Sequence, residues 1–86
     1  MKRLGTPVIY HGISIYIEYP YVVVDGDGLI VNYERKPIYF ESLEEWGYRQ
    51  SPNNYSIQEL GYVDLEGMKP EDTLAYYPQL NRERNQ

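Results

Sequence analysis

The clearest pattern in the chain is a strict alternation of apolar and polar side chains over residues 13–19. The apolar positions are Ile13, Ile15, Ile17 and Tyr19, and the positions between them are Ser14, Tyr16 and Glu18. A period of two residues is typical of a β-strand with one buried face, so the isoleucines are expected to enter a core and Tyr16 to point away from it. Val8 and Tyr10 precede this strand with the opposite parity. The His11-Gly12 pair between them fits either a tight turn or a β-bulge.

Two nearly continuous apolar runs, residues 21–24 and 29–33, flank the loop Asp25-Gly26-Asp27-Gly28. Glycine readily adopts the positive φ angles that a hairpin bend requires, so this segment predicts a β-hairpin. Because neither arm alternates, both faces of the hairpin are expected to be covered, which places it at the centre of a sheet. Shorter strands are expected at residues 38–40 and within residues 55–65, where Gly61 leaves open one bulged strand or two strands.

One short helix is predicted at residues 42–50. The segment Ser42-Leu43-Glu44-Glu45 has the S-x-x-E form of a capping box, with Ser42 as the N-cap. Leu43 and Trp46 are three residues apart and would share the inner face of that helix. The helix would cover one side of the sheet.

A second short helix is predicted near residues 70–77. Pro70 suits the first position of a helix, and the carboxylates of Glu71 and Asp72 favour its first turn. These elements predict a single α+β domain over residues 1–80, with a small antiparallel sheet of about four to six short strands and a helix packed on one face. Residues 81–86 are expected to be a frayed tail.

Composition narrows the class of protein. A chain of 86 residues has room for one domain with a thin core. The absence of cysteine excludes disulfides, thiolate metal sites and cysteine nucleophiles, and favours a reducing compartment. With no apolar run long enough for a membrane span and no signal-peptide core, the chain is expected to be cytoplasmic. The net charge of −5 disfavours general nucleic-acid binding, which needs cations against phosphates, and suits a basic or neutral protein partner.

The loop Asp25-Gly26-Asp27-Gly28 resembles part of a calcium or phosphate loop, but the surrounding residues do not fit either. If Asp25 were the first calcium ligand, Leu29 and Lys36 would fall where two oxygen ligands belong. A phosphate loop would open a helix, whereas a strand follows here, and the two aspartates would repel the anion. We therefore interpret the loop as a plain hairpin turn, with no metal and no cofactor.

Acid–base and nucleophilic catalysis also lack a suitable pattern. His11 is the sole imidazole, and its pairing with Ser14 across an undefined turn is unsupported. Glu44-Glu45 and Glu71-Asp72 are adjacent pairs, whereas general acid–base work needs carboxyls held in different environments. Capping of the two predicted helices explains both pairs better. No catalytic residue is predicted, and the chain is expected not to be an enzyme.

The unusual feature of the composition is tyrosine, with 11 residues against one phenylalanine and one tryptophan. Tyrosine suits half-buried positions that keep the hydroxyl wet, and such positions are common at interfaces. A high strand propensity in a small domain explains scattered half-buried tyrosines equally well. If some of the rings are exposed together, the predicted partner-binding residues are Tyr16, Glu18, Tyr19, Tyr21, Glu44, Glu45 and Trp46.

The leading hypothesis from the sequence is a non-enzymatic protein-interaction module with an unidentified protein partner. Small acidic chains of this general character are typical of phage or mobile-element accessory proteins that bind and inhibit a host protein. The alternative is stacking of tyrosines on single-stranded nucleic acid, with Lys2, Arg3, Arg35 and Lys36 as phosphate contacts, which the excess of acids disfavours. A homodimer that buries tyrosine-bearing edges is a second alternative. A small-ligand pocket, between protomers or under the single helix, ranks last.

Overall fold

The computed structural model of the protein describes residues 5–48 and 56–80. These residues form eight β-strands: β1 (Thr6–Tyr10), β2 (Ile13–Ile17), β3 (Tyr21–Val24), β4 (Leu29–Tyr33), β5 (Ile38–Phe40), β6 (Glu45–Gly47), β7 (Ile57–Tyr62) and β8 (Ala75–Tyr76). The helical pieces in this part of the chain are two short 3-10 turns, Pro70–Asp72 and Pro78–Leu80. The fold is therefore β-rich.

The strands form a central four-stranded sheet, in the order β7-β4-β3-β8, and two separate two-stranded hairpins, β1–β2 and β5–β6. All pairings are antiparallel. The predicted hairpin of residues 21–33 is confirmed as β3–β4, and it occupies the middle of the central sheet.

Side chains of β3 and β4 point alternately into two cores on opposite faces of the central sheet. One core joins Val22, Val24 and Ile30 to residues of the β1–β2 hairpin, including Tyr10 and Ile17. The other core joins Val23, Val31 and Tyr33 to Trp46 of β6. Each hairpin thus covers one face of the sheet, and this explains why the arms of the central hairpin are apolar at successive positions.

The β1–β2 connection is a two-residue turn at His11 and Gly12, so the bulge alternative is excluded. Both residues have positive φ angles, 48° and 78°, as a tight hairpin turn of the primed type requires. The register pairs Tyr10 with Ile13, which aligns the inward faces of the two strands. Ile17 is fully buried and Tyr16 is exposed, as the alternation predicts.

The segment after residue 56 is one bulged strand rather than two. Ile30 pairs with Gly61 and Val31 pairs with Glu59, which leaves Leu60 as the extra residue of a β-bulge. Gly61 has a φ of 137°, a conformation that glycine tolerates best. Tyr55, the first residue of the predicted segment, lies outside the described residues.

The predicted helix at residues 42–50 is wrong. Residues 41–44 form the loop of the β5–β6 hairpin, in which the carbonyl of Phe40 accepts hydrogen bonds from the main-chain N–H groups of Leu43 and Glu44 at 3.1 and 2.8 Å. The helix-capping signal of Ser42 is confined to a few residues. A strand allows Trp46 to be buried in the second core and to pair with Tyr39, and these long-range interactions favour the strand over the helix. Residues 49 and 50 lie outside the described residues.

The predicted helix at residues 70–77 is also wrong, and with it the α+β class. The 3-10 turn ends after Asp72, and β8 then pairs with β3, with Ala75 opposite Val22 and Tyr76 opposite Tyr21. The physical reason is the edge of β3, whose hydrogen-bonding groups need a partner. A helix over these residues would leave that edge open. Residues 81–86, predicted as a tail, lie outside the described residues, as do Lys2 and Arg3.

Candidate functional site

Two hairpin loops lock together at one end of the central sheet. The main-chain N–H of Gly26 donates a hydrogen bond to the carbonyl of Glu44 at 2.7 Å, and the main-chain N–H of Trp46 donates to Oδ1 of Asp25 at 2.9 Å. A Cβ atom on Gly26 would lie 2.7 Å from Cβ of Glu44, so glycine is required for this close approach. The loops 25–28 and 41–44 are therefore held by main-chain contacts.

The other side of loop 25–28 is fixed against the end of β7. The carbonyl of Gly28 accepts a hydrogen bond from the N–H of Val63 at 2.8 Å. Gly28 has a φ of 91°, and a Cβ atom on it would lie 2.5 Å from the carbonyl oxygen of Val63. The loop is thus clamped between the β5–β6 hairpin and the segment that follows β7, and this fixes the positions of its two aspartates.

The clamped loops and the segments beside them supply seven carboxylates, which we call the acidic end. Its members interact electrostatically with either the Asp25 carboxylate or the Tyr39 hydroxyl, and they are Asp25, Asp27, Glu41, Glu44, Glu45, Glu59 and Glu71. Apart from Asp25, which is half-buried, all of these residues are exposed. This group contains more than half of the 13 acidic residues of the chain.

Two pKa shifts report the crowding at the acidic end. Burial raises the pKa of Asp25, a hydrogen bond from Trp46 opposes that rise, and repulsion from Asp27, Glu45 and Glu59 adds to it. Partial desolvation raises the pKa of the Tyr39 hydroxyl, and neighbouring carboxylates, with Glu71 the largest contributor among them, raise it further. Desolvation is the largest cause of both shifts, and the neighbouring carboxylates add to it.

An apolar side chain stands among these charges. Leu43 lies in loop 41–44, and 63% of its surface is exposed. A large aliphatic side chain at a loop of fixed backbone gives the acidic end a contact point that does not depend on charge. The same side chain was assigned to the inner face of the predicted helix, and the structure exposes it instead.

The seven residues predicted to bind a partner do not form one surface. Tyr16 lies on the outer face of the β1–β2 hairpin, whereas Trp46 is 8% exposed and belongs to the core on the opposite face of the central sheet. Glu18 and Tyr19 lie in the β2–β3 connection, and Tyr21 stacks on Tyr76 with ring centroids 5.0 Å apart. Glu44 and Glu45 are the two that come together, at the acidic end. A binding role for the rest of the set stays a prediction.

Most members of the acidic end escaped sequence reasoning because three separate segments and β7 supply them. Asp25 and Asp27 were interpreted only as turn residues, and Glu41, Glu59 and Glu71 were not singled out as a group. The sequence signal for this end is the excess of acids in residues 37–81, eight against two bases, and it does not include Asp25 and Asp27. No sequence pattern predicts the contact between loops 25–28 and 41–44, because that contact depends on how the two hairpins pack.

The tyrosines serve several structural roles. The buried hydroxyls of Tyr10 and Tyr33 donate hydrogen bonds to the carbonyls of Thr73 and Trp46, at 2.7 and 2.9 Å. Burial raises the pKa of Tyr10 to about 12. Among the described tyrosines the most exposed are Tyr16, Tyr62 and Tyr76, and they lie on three different strands. Much of the tyrosine content therefore tethers layers of the fold.

Residues 5–48 and 56–80 contain neither a cluster of metal ligands nor a membrane-spanning helix. No group of three or more histidine, aspartate or glutamate side chains there is arranged to hold a metal ion. No helix in this part of the chain has the length and hydrophobicity needed to cross a membrane. Comparisons with protein-family models, with curated proteins and with solved structures gave no match. Function must therefore be inferred from the geometry of the chain itself.

Proposed function

We propose that the chain is a non-enzymatic, cytoplasmic protein-interaction module that binds a basic surface of another protein through the acidic end. The observation that supports this proposal is the gathering of seven carboxylates, four on the hydrogen-bonded loops 25–28 and 41–44 and three on β6, β7 and the 3-10 turn of residues 70–72. Complementary potentials of this kind accelerate encounter and select partners of opposite charge. Blocking that partner, as an accessory protein of a phage or mobile element would do, is the corresponding biological role.

The energetic cost of the acidic end supports a binding role. Because the pKa of Asp25 is raised, its charged form is less favourable in the folded state than in the unfolded chain. Burial of Asp25 is the largest cause of this cost, and repulsion from Asp27, Glu45 and Glu59 adds a part that dispersal of these acids would remove. Local features that oppose stability are commonly associated with function.

Leu43 supplies the apolar component that a protein interface needs. Charges at an interface mainly set the rate and the choice of partner, whereas a few apolar or aromatic side chains contribute most of the binding energy. The exposed leucine is flanked in the chain by Ser42 and Glu44 and lies within two residues of Glu41. An apolar pocket with a basic rim is the complementary surface.

Affinity capture with matched baits tests the proposal. The test bait carries Glu41→Gln, Glu44→Gln and Glu45→Gln. The control bait carries Glu34→Gln, Asp64→Asn and Glu66→Gln, which removes equal charge outside the acidic end and keeps the oxygen acceptors of Glu34 and Asp64. A protein retained at physiological salt by the wild type and the control, but lost from the test bait, is the expected result. A bait with Leu43→Ser should also lose it, which separates specific binding from ion exchange.

Two outcomes would contradict the proposal. Equal capture by all the charge variants would show that the acidic end does not bind. A salt-sensitive gel shift of single-stranded DNA or RNA at micromolar protein would instead favour tyrosine stacking. Light scattering over a wide concentration range tests the homodimer separately, because a constant monomer mass would exclude it.

A further inference from the structure

An open groove of about 360 Å³ lies between the β1–β2 turn and the connection of residues 63–68. Its apolar surface includes Ile13, Val24 and Met68, which come from three different parts of the chain. The volume is at the lower end of the range, about 300–1,000 Å³, that small-molecule sites occupy. The groove is therefore large enough for a ligand of modest size.

The walls of the groove are held by hydrogen bonds of the main chain. The N–H of Val63 bonds to the carbonyl of Gly28 at 2.8 Å, and the N–H of Met68 bonds to the carbonyl of Leu65 at 3.0 Å. The hydroxyl of Thr73 lines the groove but is already engaged, since it donates to the carbonyl of Pro70 at 2.7 Å. The groove is thus preformed, and its floor offers no free hydroxyl.

The ionisable groups of the groove are predominantly acidic. Asp64 and Glu66 line it together with His11, and no lysine or arginine is among its described lining residues. Oδ1 of Asp64 accepts a hydrogen bond from the main-chain N–H of Glu66 at 3.0 Å, which ties the two acidic residues into one turn. The imidazole of His11 packs edge-on against the ring of Tyr10, with centroids 4.4 Å apart.

We propose that this groove binds a small organic cation, an ammonium or guanidinium group carried on an apolar body. The apolar body covers Ile13, Val24 and Met68, and the cationic head lies beside the carboxylates of Asp64 and Glu66. An anion of the same shape meets repulsion from both carboxylates, and a neutral alcohol gains only the apolar contact. The site is independent of the acidic end.

NMR titration of amide resonances tests the proposal with n-hexylammonium, hexanoate and hexanol as probes of matched length. Hexylammonium is expected to shift amides of residues 11–13 and 63–68 with a Kd on the order of 1 mM at physiological salt, because the ligand has few atoms. Hexanoate should cause no saturable shift at these amides. Equal binding of hexylammonium and hexanoate would overturn the proposal.

A pair of charge-matched variants separates the groove from general attraction to an acidic protein. Glu66→Gln should weaken hexylammonium binding about two- to five-fold, as expected for loss of one exposed charge contact. Glu41→Gln removes an equal charge at the acidic end and should leave the Kd unchanged. Equal weakening by both variants, or shifts centred on loop 41–44, would refute a groove site without bearing on partner capture by the acidic end.

Discussion

The side chain of Asn32 makes four hydrogen bonds, and they fix the corner between two layers. It is fully buried on β4. Its Oδ1 accepts from the main-chain N–H groups of Glu18 and Tyr19 at 2.9 and 3.0 Å. Its Nδ2 donates to the carbonyls of Tyr19 and Tyr21, both at 2.8 Å. One amide thereby satisfies three main-chain groups of the β2–β3 connection and the carbonyl of Tyr21 at the start of β3.

Replacement of this amide by an apolar side chain of similar size, Asn32→Leu, should destabilise the fold by about 2–4 kcal/mol. Each buried main-chain group left without a partner costs about 1–3 kcal/mol. Water can reach part of the connection, since Glu18 and Tyr19 are only half-buried, and the added apolar burial offsets some of the loss. A domain of this length has a total stability of about 4–13 kcal/mol, so the loss should be large and measurable.

Urea denaturation followed by the fluorescence of Trp46, the single tryptophan, measures the change. Gln58→Leu is a matched control because Gln58 pairs with Asn32 in register on the neighbouring strand. Within the described residues, Oε1 of Gln58 is buried without a hydrogen-bond partner. Its removal should be neutral or stabilise by up to about 2 kcal/mol.

The comparison of the two variants decides the matter. If Asn32→Leu unfolds within about 0.5 kcal/mol of the wild type, the four hydrogen bonds do not hold the corner. If Gln58→Leu lowers the free energy of unfolding as much as Asn32→Leu does, the effect is not specific to the hydrogen bonds of Asn32, because loss of any amide on this face has the same effect. Either result would refute the account of the β2–β3 connection.

Three further predictions concern the loops and the edge of β3. Gly28→Ala should cost more than about 2 kcal/mol in thermal or urea unfolding because of its close carbonyl contact, whereas Gly12→Ala, with positive φ but open space, should cost about 1 kcal/mol. Asp25→Asn keeps the acceptor for Trp46 and removes the charge. Since the folded pKa of Asp25 is raised above its ordinary 3.8, wild-type stability falls as pH rises through that folded pKa. The stability of Asp25→Asn relative to wild type should therefore increase between pH 3.5 and 7, and a constant difference would contradict a raised pKa of Asp25 in the folded state. Thr73→Val removes the acceptor of the Val24 N–H and should cost about 1–3 kcal/mol by the same assays, with a change under 0.5 kcal/mol arguing against the bond.

The parts of the fold that could be predicted from the sequence are those in which local pattern and burial agree. The alternation after Ile13 gives the inward face of β2, and the unbroken apolar runs beside loop 25–28 give a hairpin covered on both faces. In each case the spacing of apolar residues along the strand indicates how many of its faces are buried. No local sequence pattern predicts the order of the strands or the positions of the two hairpins that cover the central sheet.

The two predicted helices failed because their signals are confined to a few residues, whereas the competing interactions are long-range. A capping residue such as Ser42 contributes about 1 kcal/mol, and full burial of a large side chain contributes about 1.5–3 kcal/mol. Trp46 is buried and its ring N–H donates to the carbonyl of Pro70 at 3.2 Å, a contact across 24 residues. The same contact places the 3-10 turn of residues 70–72 against β6, and the pairing of β8 with the edge of β3 then ends the helical segment.

The burial of Trp46 also brings the members of the acidic end together, although they are far apart in the sequence. Once Trp46 is drawn into the second core, the hairpin loop of Glu44 must lie against Gly26, and the turn of Glu71 must lie beside Tyr39. The carboxylates that the sequence assigned to two helix caps are thereby turned toward each other and toward loop 25–28. Charge repulsion at this end is a consequence of core packing, and a chain that keeps seven acids there despite the repulsion is expected to use them.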